Sequence, residues 1–469
     1  MRKRMSKRGA FTALILFSFA ASSLGAQSTS GSQFARQVDS IANHVLETTG
    51  VPSASLAIVQ HGRLVYANAY GSAKLDPKTP ATSTMRYALG SISKQFTASA
   101  ILLLQEEGKL SLDDPVSKFV PGLTRGDEVT VRQVLSHTSG YQDFWPQDYL
   151  MPPMKLAVTP QAIVNRWGKQ ALDFEPGARS QYSNTNYTIA GMIVEKASGM
   201  PYYDFIRRRI LVPLEMTSAL NFDVNPRVTD ATGYIRYALG PLRPAPDAGA
   251  GWMWAAGELA MTPSELAKWD IAMIKRSLLK QTSYRALETD VRLNNGVGTG
   301  YGLGVYLAMS NGHFRIEHSG EVSGFTAENY VFPDDSAAIV VLTNQDAASA
   351  SGIMAQQIAT LLFTVEDATA KNEESRIRGI FEGLRLRIID RTQFTSNANA
   401  YFDDVALSDF ASSLGSMGEL RSFTQIRQGL RGGYVYRSYR ATFASRSVRV
   451  WIFEQPDGKL EQLQVAPIE

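Results

Sequence analysis

"YALGSISKQF", residues 87–96, sets Gly90 and Ser91 at the mouth of an apolar helical run, with Lys94 one turn further on. Serine at a helix start is an ordinary cap for the first free amides. Ser followed by Lys at i+3 also puts a hydroxyl and an amine on one helix face, which is the arrangement of a nucleophile beside a base. The run that follows, with Ile92, Phe96, Ile101, Leu103 and Leu104, reads as a buried helix ending near Gly108. Burial strips water from an amine and makes its proton easier to lose.

Ser-x-x-Lys is a weak signal alone, and the chain offers a second copy, Ser277 and Lys280 in "KRSLLKQ". That copy lies in a basic, helix-like stretch with no preceding glycine and reads as a solvated face. A second polar group comes from "EPGARSQYSNTNY", where Tyr182 and Asn184 stand two apart in a loop before a helix that begins near Tyr187. A phenol titrates near ~10, so Tyr182 is a base only where a cation such as Lys94 stabilises its phenolate. Tyr66 and Asn68 repeat the Tyr-x-Asn pattern inside a strand and read as sheet. A third group is "IEHSGEVSG", where His318, Ser319 and Gly320 end an apolar strand with Gly324 nearby. Glycine there marks close backbone approach, and a strand-edge amide could complete an oxyanion hole with the Ser91 amide.

The 469 residues exceed one typical core, and 44% hydrophobic with 19% charged content suits a globular protein. The N-terminus combines a basic "MRKRMSKRGA", a short apolar "FTALILFSFAA" and small residues in "SSLGAQS". This reads as a signal peptide over 1–26, and so as export to the periplasm or medium. A cut after Ala26 leaves Leu24 at the −3 position; a cut after Gly25 leaves Ser23 there. The segment carries Arg2, Lys3, Arg4, Lys7 and Arg8 and no acid, so its removal takes the formal charge from +3 to −2. Nothing then favours nucleic acid as a partner, and no apolar run in the mature chain is long enough to span a membrane. With no Cys, disulfides, thiolate zinc sites and Cys nucleophiles are excluded.

Residues 34–49 read as a helix, and "ASLAIVQHGRLVYANAYG" as a hairpin turning at His61-Gly62. Helices and Pro/Gly-rich loops fill 113–290, among them "YQDFWPQDYLMPPM", either a pocket wall or a loop packed on its own core. From residue 300 four strands follow, then a helix at 351–363. The expectation is an α/β (α+β) domain over 27–366, with an antiparallel sheet flanked by helices and interrupted by a large helical insert. The polar "VEDATAKNEESR" marks a linker or boundary. Beyond it, 371–469 reads as a small α+β accessory domain, with one helix at about 373–390 on a curved sheet in a cystatin-like arrangement.

Taken in order, the three groups resemble the serine β-lactamase and penicillin-binding-protein superfamily. The likeness is to the class C β-lactamase-related hydrolases, which include D-aminopeptidases and carboxylesterases. "VRQVLSHTSGYQDF", "FEPGARSQYSNTNYTIAGMIVEKASGMPYYDFI", "LVPLEMTSA" and "AAGELAMTPSELAKW" are similar to that family's framework, over roughly residues 35–363. The resemblance implies Ser91 as the acylated nucleophile and Lys94 as its proton partner. It implies Tyr182 as the phenolic acid/base and Asn184 as a substrate-amide contact. The amides of Ser91 and Glu321 would form the oxyanion hole, with no cofactor or metal. Ser91 would then be both cap and nucleophile. Which of Lys94 and Tyr182 takes the first proton stays open, since they would titrate as a coupled set.

β-Lactamases and DD-peptidases usually carry Lys in the third motif, where its charge holds a substrate carboxylate. Here the residue is His318, mostly neutral at pH 7. This favours aminopeptidase and esterase relatives acting on a small peptide, amide or ester. No acidic deacylating residue of the class A type stands out. Three other readings compete: a Ser-His-Asp hydrolase through Ser139 and His137, a metal site at His313, Glu317 and His318, and a sensor that is acylated or binds without turnover. The first lacks Gly-x-Ser-x-Gly, and the second puts its histidines on opposite strand faces.

Overall fold

The computed structural model describes residues 21–147, 149–225, 229–310, 312–363 and 368–468. Residues 1–20, the basic and apolar parts of the expected signal peptide, lie outside them. The chain falls into two units, Met1–Phe363 and Thr364–Glu469.

The first unit is organised by two apolar strands from opposite ends of its sequence. Helix α1 (Ala21–Thr49) leads into β1 (Ser53–Gln60), which turns at His61-Gly62 into β2 (Arg63–Leu75), with β3 (Lys78–Pro80) beyond. Both turn residues have positive φ, 51° and 66°, as a tight hairpin twisted with its strands requires. Helix α2 (Ser93–Glu106) opens a long insert that includes α3 (Asn184–Ser198) and α4 (Pro263–Lys275). The chain then returns through β4 (Tyr306–Ser310), β5 (His313–Val322), β6 (Phe325–Phe332) and β7 (Ala337–Thr343), and closes with α5 (Ala350–Phe363). The seven-stranded order is β3-β2-β1-β7-β6-β5-β4. Every joint is antiparallel, including the central one, where Ala54 faces Thr343 and Val59 faces Ala338.

Strand alternation divides the core in two. Leu56, Ile58, Ile339 and Val341 meet α1 and α5, whereas Ala57, Val59, Val340 and Leu342 face the helical insert. Helix α2 sits inside that second core, with every residue from Ser93 to Leu104 buried. A helix buried all round must satisfy its polar side chains internally. Ser93 Oγ accepts from the Leu259 amide at 3.1 Å, Thr97 donates to the Ala255 carbonyl at 2.7 Å, and Gln95 accepts from the Trp269 indole at 2.9 Å. These bonds lock the helix in rotation and register.

Ser91 differs from its reading as a cap. It lies in a 3-10 turn, Gly90–Ile92, ahead of α2, and no side chain caps either element. The hydroxyl is taken by Lys94 instead, so tertiary placement overrides the local preference. Ser277 and Lys280 are solvated as expected but belong to the loop after α4, not to a helix. Asn184 opens α3 three residues ahead of the expected start.

Two glycines bring β5 into backbone contact with the Ser91 turn. A Cβ on Gly320 would stand 1.8 Å from the Leu89 carbonyl oxygen, and one on Gly90, at φ +54°, 2.8 Å from the Glu321 amide.

In the second unit the polar run after residue 367 is not a linker. It begins helix α6 (Ala368–Arg385), and α7 (Ser396–Tyr401) and α8 (Asp404–Gly415) follow, so three helices precede the sheet where one was expected. The sheet is an antiparallel meander, β8 (Leu420–Arg431), β9 (Tyr434–Phe443), β10 (Ser447–Glu454) and β11 (Leu460–Pro467). Its inner face packs Phe423, Tyr439, Val450 and Ile452 with Ile377, Phe381 and Leu384 of α6.

Gly320→Ala cannot keep this backbone approach. Its labelling by a fluorophosphonate is expected to fall at least tenfold, with a lowered melting temperature; wild-type labelling would show that the strand and turn need not touch.

Candidate active site

The Lys94 amine is fully buried and touches three oxygens: Ser91 Oγ at 2.8 Å, Asn184 Oδ1 at 2.9 Å and the Ala256 carbonyl at 2.8 Å. Burial lowers its pKa to about 7, opposed by the negative charge of Asp143. The chemical types of the three partners give the site a direction. An ammonium offers three N–H donors, one to each oxygen. A neutral amine keeps two donors and a lone pair. The amide oxygen of Asn184 and the Ala256 carbonyl can only accept, so the lone pair is left to the one partner with a proton to give, the Ser91 hydroxyl.

Each partner is held from a different part of the insert. Asn184 is fixed by Asp143, whose Oδ1 accepts from the Asn184 amide at 2.8 Å and from the Trp145 amide at 3.1 Å. Ala256 lies in a short helix, Trp254–Gly257, and Asp223 accepts from the Gly251 and Met253 amides at its start, at 2.8 and 3.0 Å. Sequence reading found Ser91, Lys94 and Asn184 but missed both carboxylates and the carbonyl. No spacing signals them, because their roles exist only after the loops close.

Tyr182 lies over the same amine, with its ring centre 4.9 Å from Lys94 Nζ. Its buried hydroxyl has no hydrogen-bond partner of ordinary geometry. Burial raises its pKa well above 10, with Ser91 as the neighbour that pulls it back. Burial thus acts in opposite directions on the two groups, raising the pKa of the phenol and lowering that of the amine. His137 packs tilted against Tyr182 at 4.3 Å between ring centres, and its Nδ1 accepts from the Ser183 amide at 3.1 Å. Burial holds this ring neutral. His137 thus braces Tyr182, and a Ser-His-Asp arrangement with Ser139 does not form; Ser139 donates to Asn186 at 2.6 Å.

His318 is 1% exposed. Its Nδ1 faces the Ser319 carbonyl at 2.6 Å and therefore carries the hydrogen, leaving Nε2 to accept from the Tyr301 hydroxyl at 3.1 Å. Burial first, then the Lys94 charge, lowers its pKa to about 3, so the ring is neutral at physiological pH. The metal alternative fails on geometry. His313 pairs with Asp335 at 2.8 Å and stacks on Phe363, away from His318. Among the described residues no cluster of three or more His, Asp or Glu is arranged to hold a metal.

Ser91, Tyr182, Asn184, His318, Ser319 and Glu321 all line one cleft of about 680 Å³. Gly320 stands behind it, against the Ser91 turn. Phe144, Trp145, Tyr149, Tyr237 and Trp252 give the cleft an aromatic lining, so the "YQDFWPQDYLMPPM" loop meets both readings: it lines the pocket, and its Phe144 and Met154 pack with Ile163 and Trp252 in a small core of their own. Asp143, Glu321 and Asp346 also line it, and among the described lining residues there is no Lys or Arg.

The beta-lactamase family pattern matches residues 38–362. A penicillin-binding protein of Bacillus subtilis is 32% identical over 301 residues, covering 61% of this chain and 66% of that protein, just under two thirds of its length. A D-stereospecific amidohydrolase from Streptomyces superposes with TM-score 0.59 at 28% identity, over 69% of this chain and 98% of that one. The D-amino acid amidase of Ochrobactrum anthropi superposes with TM-score 0.59 at 25% identity, over 72% and 99%. Motif order, site geometry and these matches agree: the chain belongs to the beta-lactamase family of serine hydrolases.

Proposed function

We propose that this chain is an exported serine hydrolase that forms an acyl-enzyme at Ser91 and cleaves small amides or peptides bearing a free ammonium group. The observation that carries the acyl-enzyme is the Lys94 amine, whose only proton-giving partner is the Ser91 hydroxyl. Neutral Lys94 takes the Ser91 proton as Oγ attacks the carbonyl carbon. The resulting oxyanion faces the amides of Ser91 and Glu321. Tyr182, still protonated, gives its proton to the departing nitrogen and regains one from the Lys94 ammonium. Water then attacks the ester, losing its proton along the same path in reverse, and Ser91 leaves with its hydrogen restored.

The cleft's charge supports the substrate class. A neutral His318 and the lack of Lys or Arg among the described lining residues leave a substrate carboxylate without a counter-ion there, whereas three carboxylates suit an ammonium. The aromatic wall suits an apolar side chain. The D-amino acid amidase among the similar structures fits an amino-acid amide of that kind. Export is read from the basic-apolar-small order of the first 26 residues.

Phenylalanine amide, especially its D form, is expected to be turned over. N-acetylation, which removes the ammonium, is expected to lower kcat/KM at least tenfold; equal rates on both would overturn the ammonium reading. A long-lived penicilloyl adduct with no amide turnover would instead favour the sensor alternative.

Acylation needs neutral Lys94, so the rate of fluorophosphonate labelling is expected to rise with pH through about 7 and level off above. A rate flat from pH 5 to 9 would remove Lys94 as the base. Ser91→Ala should abolish labelling, and Tyr182→Phe should slow amide turnover by about 100-fold or more.

A further inference from the structure

The sheet of the second unit has one face on its own core and the other turned away from that core. Register fixes what that other face carries. Arg427, Ser438, Trp451 and Gln464 form one row across the four strands, and Gly429, Tyr436, Phe453 and Gln462 the next. A flanking row holds Thr424, Arg440, Arg449 and Ala466, and Arg431 faces Tyr434 at the far end. Four arginines and four aromatics thus share a face on which no carboxylate stands.

Folding alone does not account for this pattern. Arg440 and Arg449 sit directly opposite each other on adjacent strands, an arrangement that destabilises a sheet. Both are exposed, and neither has a carboxylate partner among the described residues. Charges on edge strands discourage unwanted pairing, but β9 and β10 are the inner strands. The aromatics are half-buried rather than protruding, and arginines lie against them: Arg449 is 5.2 Å from the Trp451 ring centre and Arg431 5.6 Å from that of Phe453. The face is therefore a flat platform of rings and guanidinium groups, edged by Gln462 and Gln464.

We infer that this face binds an acidic polysaccharide. Sugar rings lie flat on aromatic side chains, their hydroxyls suit Gln462 and Gln464, and their acid groups supply the charge that the Arg440–Arg449 pair lacks. A membrane-docking face would instead push apolar tips outward, and these rings do not protrude. The inference concerns the second unit alone and does not depend on the chemistry at Ser91.

The test uses the full chain and polygalacturonate as probe, with neutral dextran, anionic phospholipid vesicles and single-stranded oligothymidylate as comparisons. Wild type is expected to bind polygalacturonate in preference to all three, more weakly as salt rises. Arg440→Glu with Arg449→Glu should weaken binding at least tenfold, and Trp451→Ala should weaken it as well. The milder Arg440→Gln with Arg449→Gln covers the case in which the charge reversal unfolds the unit. Ser91 labelling by fluorophosphonate should be unchanged in the folded variants. No binding by wild type, equal binding by a folded arginine variant, or a preference for vesicles or oligonucleotide would each overturn the inference.

Discussion

A single amine taken out of water is the constraint on which the first unit depends. Burying a lysine costs several kcal/mol unless it is neutral or fully bonded, and Lys94 is held where both conditions are within reach. Helix α2 must be enclosed on every side to dry that amine. Two distant segments, at Asn184 and Ala256, must close on it to add their oxygens to that of Ser91. The sheet supplies the wall behind, and its paired central strands hold the ends of the sequence together around the insert.

The supporting groups form layers around that amine. Asp143 steadies Asn184, Asp223 steadies the turn that presents Ala256, and His137 braces Tyr182 from beneath. None needs to meet a substrate in order to matter, since each fixes the position of a group that does. The two rings beside the amine, His137 and His318, are both neutral because of burial and of Lys94 itself. One buried interior thus lowers the pKa of the lysine and of both histidines and raises that of the tyrosine.

Legibility in the sequence followed distance along the chain. Ser91 and Lys94 were readable because i and i+3 share a helix face whatever the fold. Tyr182, Asn184 and His318 needed the order of the three motifs. Asp143, Asp223 and the Ala256 carbonyl were invisible, because a carboxylate that binds backbone amides in a loop leaves no periodic trace. The cap reading of Ser91 failed because local propensity knows nothing of an amine arriving from the next turn. In the second unit, "NANAYFDDVALSDFASSLG" carries α7 and α8, but its short helices are broken at Phe402 and escaped a search for one long period. The long strands of the first unit and β9 to β11 were clear, since apolar alternation is a local signal, whereas β8 (Leu420–Arg431) and the three-residue β3 were not read.

The pairing of Gly90 with Glu321 and of Gly320 with Leu89 also bears on how the protein comes into being. Ser91 leaves the ribosome long before the strand that faces it, so its turn and the Gly320–Glu321 backbone cannot meet until nearly the whole first unit has been synthesised. Contacts this far apart in sequence form late and slowly. A nascent or truncated chain therefore holds Ser91 and Lys94 without the strand that packs against their turn.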